Sequence, residues 1–132
     1  MQLLWGSVYL LDTHIFLWWL SDANRLSKEV FDIISDSANQ IYISSASIWE
    51  IAIKESLGKI EIDANLDTII EDCGFLELKI SAKCANAIKK LPPIHKDPFD
   101  RMLIAQAKRW NLTLITMDKL IVRYRDIEIL GI

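Results

Sequence analysis

Five acidic residues stand where alternating apolar runs and polar breaks would turn them toward one another. Asp12 closes the run VYLL, and Asp118 follows the run LTLIT by two residues. In an open α/β sheet, ligands bind beyond the carboxyl ends of the strands, so these two acids are expected at one edge of one sheet, each also serving as a helix or turn cap. Glu50 sits at helical spacing from Ala46, Ile53 and Leu57, a largely apolar face. A buried carboxylate is costly unless it is paired or binds a cation, and Lys54, four residues on, offers the alternative of a surface ion pair. In HKDPFDRMLIAQA, Asp97 and Asp100 are three apart at the start of a helix, the first as cap or ligand and the second as a first-turn acid. Carboxylates brought together raise one another's pKa unless a divalent cation neutralises them. Hard oxygen ligands with no Cys or His cluster beside them suit Mg²⁺ or Mn²⁺, and such a site suits metal-assisted phosphodiester hydrolysis.

Rival chemistries lack their residues. The glycines, at positions 6, 58, 74 and 131, form neither GxGxxG nor a Walker loop, and there is no HExxH and no GxSxG. His14 and His95 are unpaired by spacing and read as polar loop residues rather than zinc ligands, with His95 a candidate phosphate contact. Cys73 and Cys84 stand alone, as buried small apolar residues of a reducing compartment do.

The elements that must position the acids follow from pattern. Val8–Leu11, Ile41–Ser44, Phe75–Ile80, Leu112–Thr116 and Ile127–Leu130 read as strands. Helices are expected from Ile15, from a Ser27 cap to about Ala38, and from Ser45 or Ser47 to Leu57 with Gly58 as stop. Further helices run from an Asn65 cap to Cys73, from Ser81 to Lys90 before Pro92-Pro93, and from Pro98 to Trp110. Strands alternating with helices, and strands apolar without alternation, imply a three-layer α/β/α sandwich around a mostly parallel sheet of about five strands.

The chain of 132 residues, 52% apolar and 25% charged, is expected to form one domain spanning 1–132 with a core that needs no disulfides. The apolar opening MQLLWGSVYLLDTHIFLWWL lacks a basic leader and is interrupted at Asp12, so a cytoplasmic protein with no membrane segment is expected. The net charge of −3 argues at first against a nucleic-acid partner. That average conceals a division, because residues 1–80 carry −8 and residues 81–132 carry +5.

Taken in order, YLLDTH, SSASIWEIAIK, HKDPFDRMLIAQA and LITMDKLI resemble the PIN-domain family, and within it the VapC-type toxins of toxin–antitoxin pairs. The resemblance runs from about Val8 to Leu130. It implies a ribonuclease dependent on Mg²⁺ or Mn²⁺, with Asp12, Glu50, Asp100 and Asp118 as catalytic, metal-holding acids and Thr116 as the hydroxyl companion of Asp118. Asp97 is an auxiliary acid. The same resemblance implies an RNA substrate, a homodimer and a cognate antitoxin, for which Trp18 or Trp19 offers an interface residue. Lys89, Lys90, Lys96 and Arg101 bracket the last acidic helix, where cations can hold an RNA backbone. Two alternatives use the same residues: a PIN nuclease of RNA processing, and a binding module whose carboxylates hold a cation without catalysis. A phosphoryl-accepting receiver domain fits poorly, because its last strand would be followed by a lysine and this one ends Leu130-Gly131-Ile132.

Overall fold

Leu10 and Leu11 are adjacent and both fully buried, yet they enter different cores, because successive strand side chains point to opposite faces of a sheet. Residues 7–132 are described in this computed structural model; residues 1–6, the first part of the apolar opening stretch, lie outside the described residues. The chain runs β1 (Val8–Leu11), α1 (Thr13–Ser21), α2 (Lys28–Ser35), β2 (Gln40–Ser44), α3 (Ser45–Ser56), α4 (Ile69–Asp72) and β3 (Leu76–Leu78). It continues through α5 (Ala82–Ala87), α6 (Pro98–Trp110), β4 (Thr113–Thr116) and β5 (Ile129–Gly131), with short 3₁₀ turns between.

The five strands lie in the order β3-β2-β1-β4-β5, and every neighbouring pair is parallel. On one face, Leu11, Ile41, Ile43 and Ile115 meet Ile15 and Phe16 of α1, Val30 and Ile34 of α2, Ile51 of α3 and Ile69 and Ile70 of α4. On the other, Leu10, Leu78 and Leu114 meet Leu103, Ile104 and Ala107 of α6. Full burial of each such Leu or Ile contributes roughly 1.5–3 kcal/mol. Two helical layers therefore enclose the sheet, and the α/β expectation holds, with the sheet parallel throughout.

Boundaries differ where side chains compete with the backbone. α2 ends at Ser35 rather than near Ala38, because Asp36 turns the chain by accepting the Ala38 amide. α3 opens at Ser45, one of the two expected starts, with Ser44 capping it through the Ala46 amide. Asn65 accepts the Asp67 amide in a turn, and the helix it was expected to cap begins only at Ile69. α5 tightens into a 3₁₀ turn over Ile88–Lys90 before the prolines. Gly58 and Gly74 follow α3 and α4 with φ of 71° and 78°, the left-handed geometry of a helix stop.

Cys84 is buried and Cys73 is half-buried. Trp18 and Trp19 are both half-buried as well, Trp19 against Phe31 and Phe75 and Trp18 beneath the Arg25 guanidinium. Among the described residues, no helix is long and apolar enough to cross a membrane.

Candidate functional site

Strand order reverses direction at β1: the chain builds outward through β2 and β3, then returns to place β4 on the other side. The crevice between the carboxyl ends of β1 and β4 is thus the switch point at which open α/β sheets bind ligands. A cleft of about 250 Å³ opens there, lined by Asp12, Glu50, Asp97, Asp100 and Asp118 together with Lys54. All five acids singled out in the sequence converge. A larger groove of about 510 Å³ lies between α3, α4 and β3, where apolar side chains such as Trp49, Leu66 and Phe75 alternate with Asp67, Glu71 and Glu77 and none of the five acids takes part. Chemistry rather than size marks the smaller cleft.

Asp12 is 4% exposed and caps α1, its Oδ1 accepting the amides of His14 (2.7 Å) and Ile15 (3.2 Å). The buried Thr116 hydroxyl donates to its Oδ2. Burial pushes the Asp12 carboxyl above its ordinary range, against the pull of the Thr116 hydroxyl and the Ile15 and His14 amides. Thr116 Oγ1 also accepts the Asp118 amide at 2.9 Å, so one hydroxyl at the end of β4 ties two of the acids together.

Glu50 comes from the second turn of α3, which is anchored to α1 by a buried Thr13–Ser47 hydroxyl pair at 2.9 Å. Its Oε2 lies 3.1 Å from Lys54 Nζ, while Oε1 is buried with no hydrogen-bond partner among the described residues. The ion pair with Lys54 is thus formed, on a helix face whose Ile53 and Leu57 are exposed rather than packed, and Glu50 lines the cleft.

Asp97 caps α6, its Oδ1 accepting the amides of Phe99 (2.8 Å) and Asp100 (3.1 Å). Asp100, in the first turn, is pushed up to about 7 by burial and then by the charge of Asp97, with Asp12 and Glu50 adding and His95 opposing. At Asp118 the upward push of burial is outweighed by hydrogen bonds from His95 and from the Leu120 and Ile121 amides, leaving its carboxyl below the ordinary value.

His95 was expected as a polar loop residue; it is buried and sits among the acids. Its Nε2 lies 2.9 Å from Asp118 Oδ2 and 3.0 Å from Asp100 Oδ2, and one ligand atom from each of these three residues falls within 4.8 Å of the others. Its Nδ1 accepts the Asp97 amide, two residues on. Asp12 and Asp118 make the same local bond to the amides of His14 and Leu120. The placement of a histidine two residues before a helix cap is the signal that the sequence carried.

Arg101, expected among RNA-holding cations, directs its guanidinium inward at the carbonyls of Ile88, Leu91, Pro92 and His95. Lys89, Lys90 and Lys96 are exposed.

The donor set fits a hard divalent cation on two observations: a carboxylate oxygen of Glu50 buried without a partner among the described residues, and an Asp100 carboxyl driven upward by burial and then by neighbouring acids. The family model that matches the sequence is the PIN domain, over residues 9–127. The chain belongs to the PIN-domain family. No curated protein matches it in sequence. Among solved structures, this PIN domain is similar to VapBC2 of Rickettsia felis bound to a promoter DNA fragment, at 20% identity and a TM-score of 0.70, covering 94% of this chain and 98% of that one. DNA-bound VapBC of Salmonella typhimurium follows, at 19% identity and a TM-score of 0.66, covering 95% and 98%. A toxin–antitoxin complex of Klebsiella pneumoniae gives 20% identity and a TM-score of 0.62, covering 90% and 94%. These likenesses establish the PIN fold across the described chain.

Proposed function

We propose that this PIN domain, acting as a single-domain protein of the cytoplasm, is a metal-dependent endoribonuclease and the toxin of a toxin–antitoxin pair. PIN domains are generally nucleases, and the observation that carries the reading is the meeting of Asp12, Glu50, Asp100 and Asp118 in one cleft at the β1/β4 switch point. These four acids would hold Mg²⁺ or Mn²⁺, which when bound supplies the charge needed to activate a water and stabilise the leaving oxygen of a phosphodiester. Thr116 fixes Asp12 and the start of the Asp118 turn, so the two strand-end acids keep their spacing whether or not a cation is present. Asp97 caps α6 and, by its charge, holds Asp100 in a state that a cation relieves. Lys89, Lys90 and Lys96 would contact the RNA backbone, and Arg101 would serve them only by shaping the loop they flank.

The structures it resembles are toxin–antitoxin complexes, which supports a cognate antitoxin as partner; we propose a homodimer as the working form alongside it. The test is cleavage of labelled RNA by purified protein with Mn²⁺, with Mg²⁺ and with EDTA, beside Asp12→Asn and Asp100→Asn. Metal-dependent cleavage abolished in both variants is expected; equal cleavage by the variants would mean that the activity belongs to a contaminant and the reading is wrong.

A further inference from the structure

The loop from Leu91 to Asp97 is tied down more tightly than a connection between two helices requires. Tyr124 Oη accepts the His95 amide at 3.0 Å and donates to the Pro92 carbonyl at 2.9 Å. Arg101 grips the same loop from the other side, donating to the His95 carbonyl at 3.0 Å and the Pro92 carbonyl at 3.2 Å. Both main-chain polar groups of His95 are thereby fixed. Its imidazole is fixed at the third corner, because Nδ1 accepts the Asp97 amide at 3.1 Å.

An amide N–H can only donate, so Nδ1 is an acceptor and the ring proton sits on Nε2. That proton is directed into the acidic cluster, donating to Asp118 Oδ2, with Asp100 Oδ2 at 3.0 Å. Asp118 Oδ1 is held by the Leu120 and Ile121 amides, so the imidazole is what fixes the second oxygen. A carboxylate offers about four lone-pair sites, and Oδ2 can accept from Nε2 and still face a cation. Ligation by Nε2 itself would require the proton on Nδ1, where the Asp97 amide proton stands.

We propose that His95, held as its Nε2–H tautomer by the Tyr124- and Arg101-bound loop, is a positioning residue that sets the Asp118 and Asp100 carboxylates for cation capture and is not itself a cation ligand. This rests on the nuclease reading only in taking the cleft as a cation site. Partners of this kind, which orient the ligands without touching the metal, typically change metal affinity or activity by about 10–100-fold when removed.

The test uses no RNA. Long-range ¹⁵N–¹H correlation spectra of the His95 ring are recorded with EDTA and with Mg²⁺, and Mn²⁺ affinity is measured from the free-ion paramagnetic resonance signal. The wild-type ring should show Nε2–H in both spectra; appearance of the Nδ1–H form with Mg²⁺ would make His95 a ligand and overturn the proposal. His95→Gln places an amide N–H near the Nε2 position and should bind Mn²⁺ within about threefold of wild type, whereas His95→Asn is too short to do so and should lose about 10–100-fold. Thermal unfolding in EDTA identifies any variant that has lost its fold, and the wild-type spectra decide the question independently of the variants. Equal Mn²⁺ affinity in His95→Asn and wild type, or equal loss in folded Gln and Asn variants, would overturn the role of the donor. A wild-type chain that binds Mn²⁺ yet cleaves no RNA would sink the nuclease reading and leave this one standing.

Discussion

Asp100 must release its proton before a cation can take its place, and that makes cation capture depend on pH in a range where an ordinary carboxylate would be indifferent. Its carboxyl is raised from 3.8 to about 7, by burial first and then by Asp97, Asp12 and Glu50, against His95. With a midpoint at 7, about one molecule in eleven has Asp100 ionised at pH 6 and about ten in eleven at pH 8. Apparent Mn²⁺ affinity should therefore fall about tenfold for each pH unit below 7 and level off above 8. Metal-free stability should move the other way. A carboxyl whose folded-state pKa lies above its unfolded value holds a proton in the native state that the unfolded chain releases, so stability in EDTA declines as pH rises from about 4 to about 7. Added Mg²⁺ should then raise the melting temperature more at pH 8 than at pH 6. Asp97→Asn separates the causes, because asparagine caps a helix as well as aspartate while removing the charge that raises Asp100 most. Its Mn²⁺ titration midpoint should shift to lower pH. Equal Mn²⁺ dissociation constants at pH 6 and pH 8, or an unmoved midpoint in Asp97→Asn, would refute the reasoning.

Thr116→Val deletes the hydroxyl that donates to buried Asp12 and accepts from the Asp118 amide, and urea denaturation should show a loss of about 1–3 kcal/mol. Glu50→Gln removes one of the charges that raise Asp100, so its metal-free melting temperature at pH 8 should equal or exceed that of wild type while Mn²⁺ affinity falls at least about tenfold. Lys89→Ala with Lys90→Ala should reduce the slope of log K against log salt for RNA binding by roughly 1–1.5 and leave the melting temperature alone. Arg101→Lys should do the reverse, since a single ammonium cannot reach carbonyls from Ile88 to His95, and the cost should appear as stability with the salt slope intact.

The acids were legible because each lies at a punctuation mark in the apolar pattern: Asp12 and Asp118 just past strands, Asp97 and Asp100 at a proline-marked helix start. Parallel pairing follows from the same pattern, since strands alternate with helices, whereas the strand order β3-β2-β1-β4-β5 came only from the structure. What could not be read is what depends on a loop folding back. His95 carries no periodicity, and its place among the acids is set by Tyr124, 29 positions away, and by Arg101. Arg101 read as one cation among several because charge alone does not say whether a guanidinium points outward. For Glu50 the sequence left a buried carboxylate and an ion pair with Lys54 both open, because spacing alone does not say whether Ile53 and Leu57 pack; they are exposed, the ion pair forms, and Glu50 lines the cleft. Short elements such as α4 and β3 were overextended, because Asn65 holds the Asp67 amide in a turn, and beyond Leu78 the Lys79 carbonyl and the Ile80 amide bond the side chains of Gln106 and Ser45 rather than a neighbouring strand.

Topology also converts the charge division along the chain into a division across the molecule. Residues 1–80, carrying −8, supply β1, β2 and β3; residues 81–132, carrying +5, supply α5, α6, β4 and β5. Because β1 pairs with β4, the seam between the two halves is the crevice in which the acids meet, Asp12 and Glu50 from one side and Asp97, Asp100 and Asp118 from the other. A polyanion laid across that seam meets repulsion on one flank and the lysine-bearing loop before α6 on the other. Such a surface orients a strand before it binds it tightly. A cation in the crevice would neutralise the charge that both flanks share, so metal binding and backbone binding should reinforce one another even at a net charge of −3.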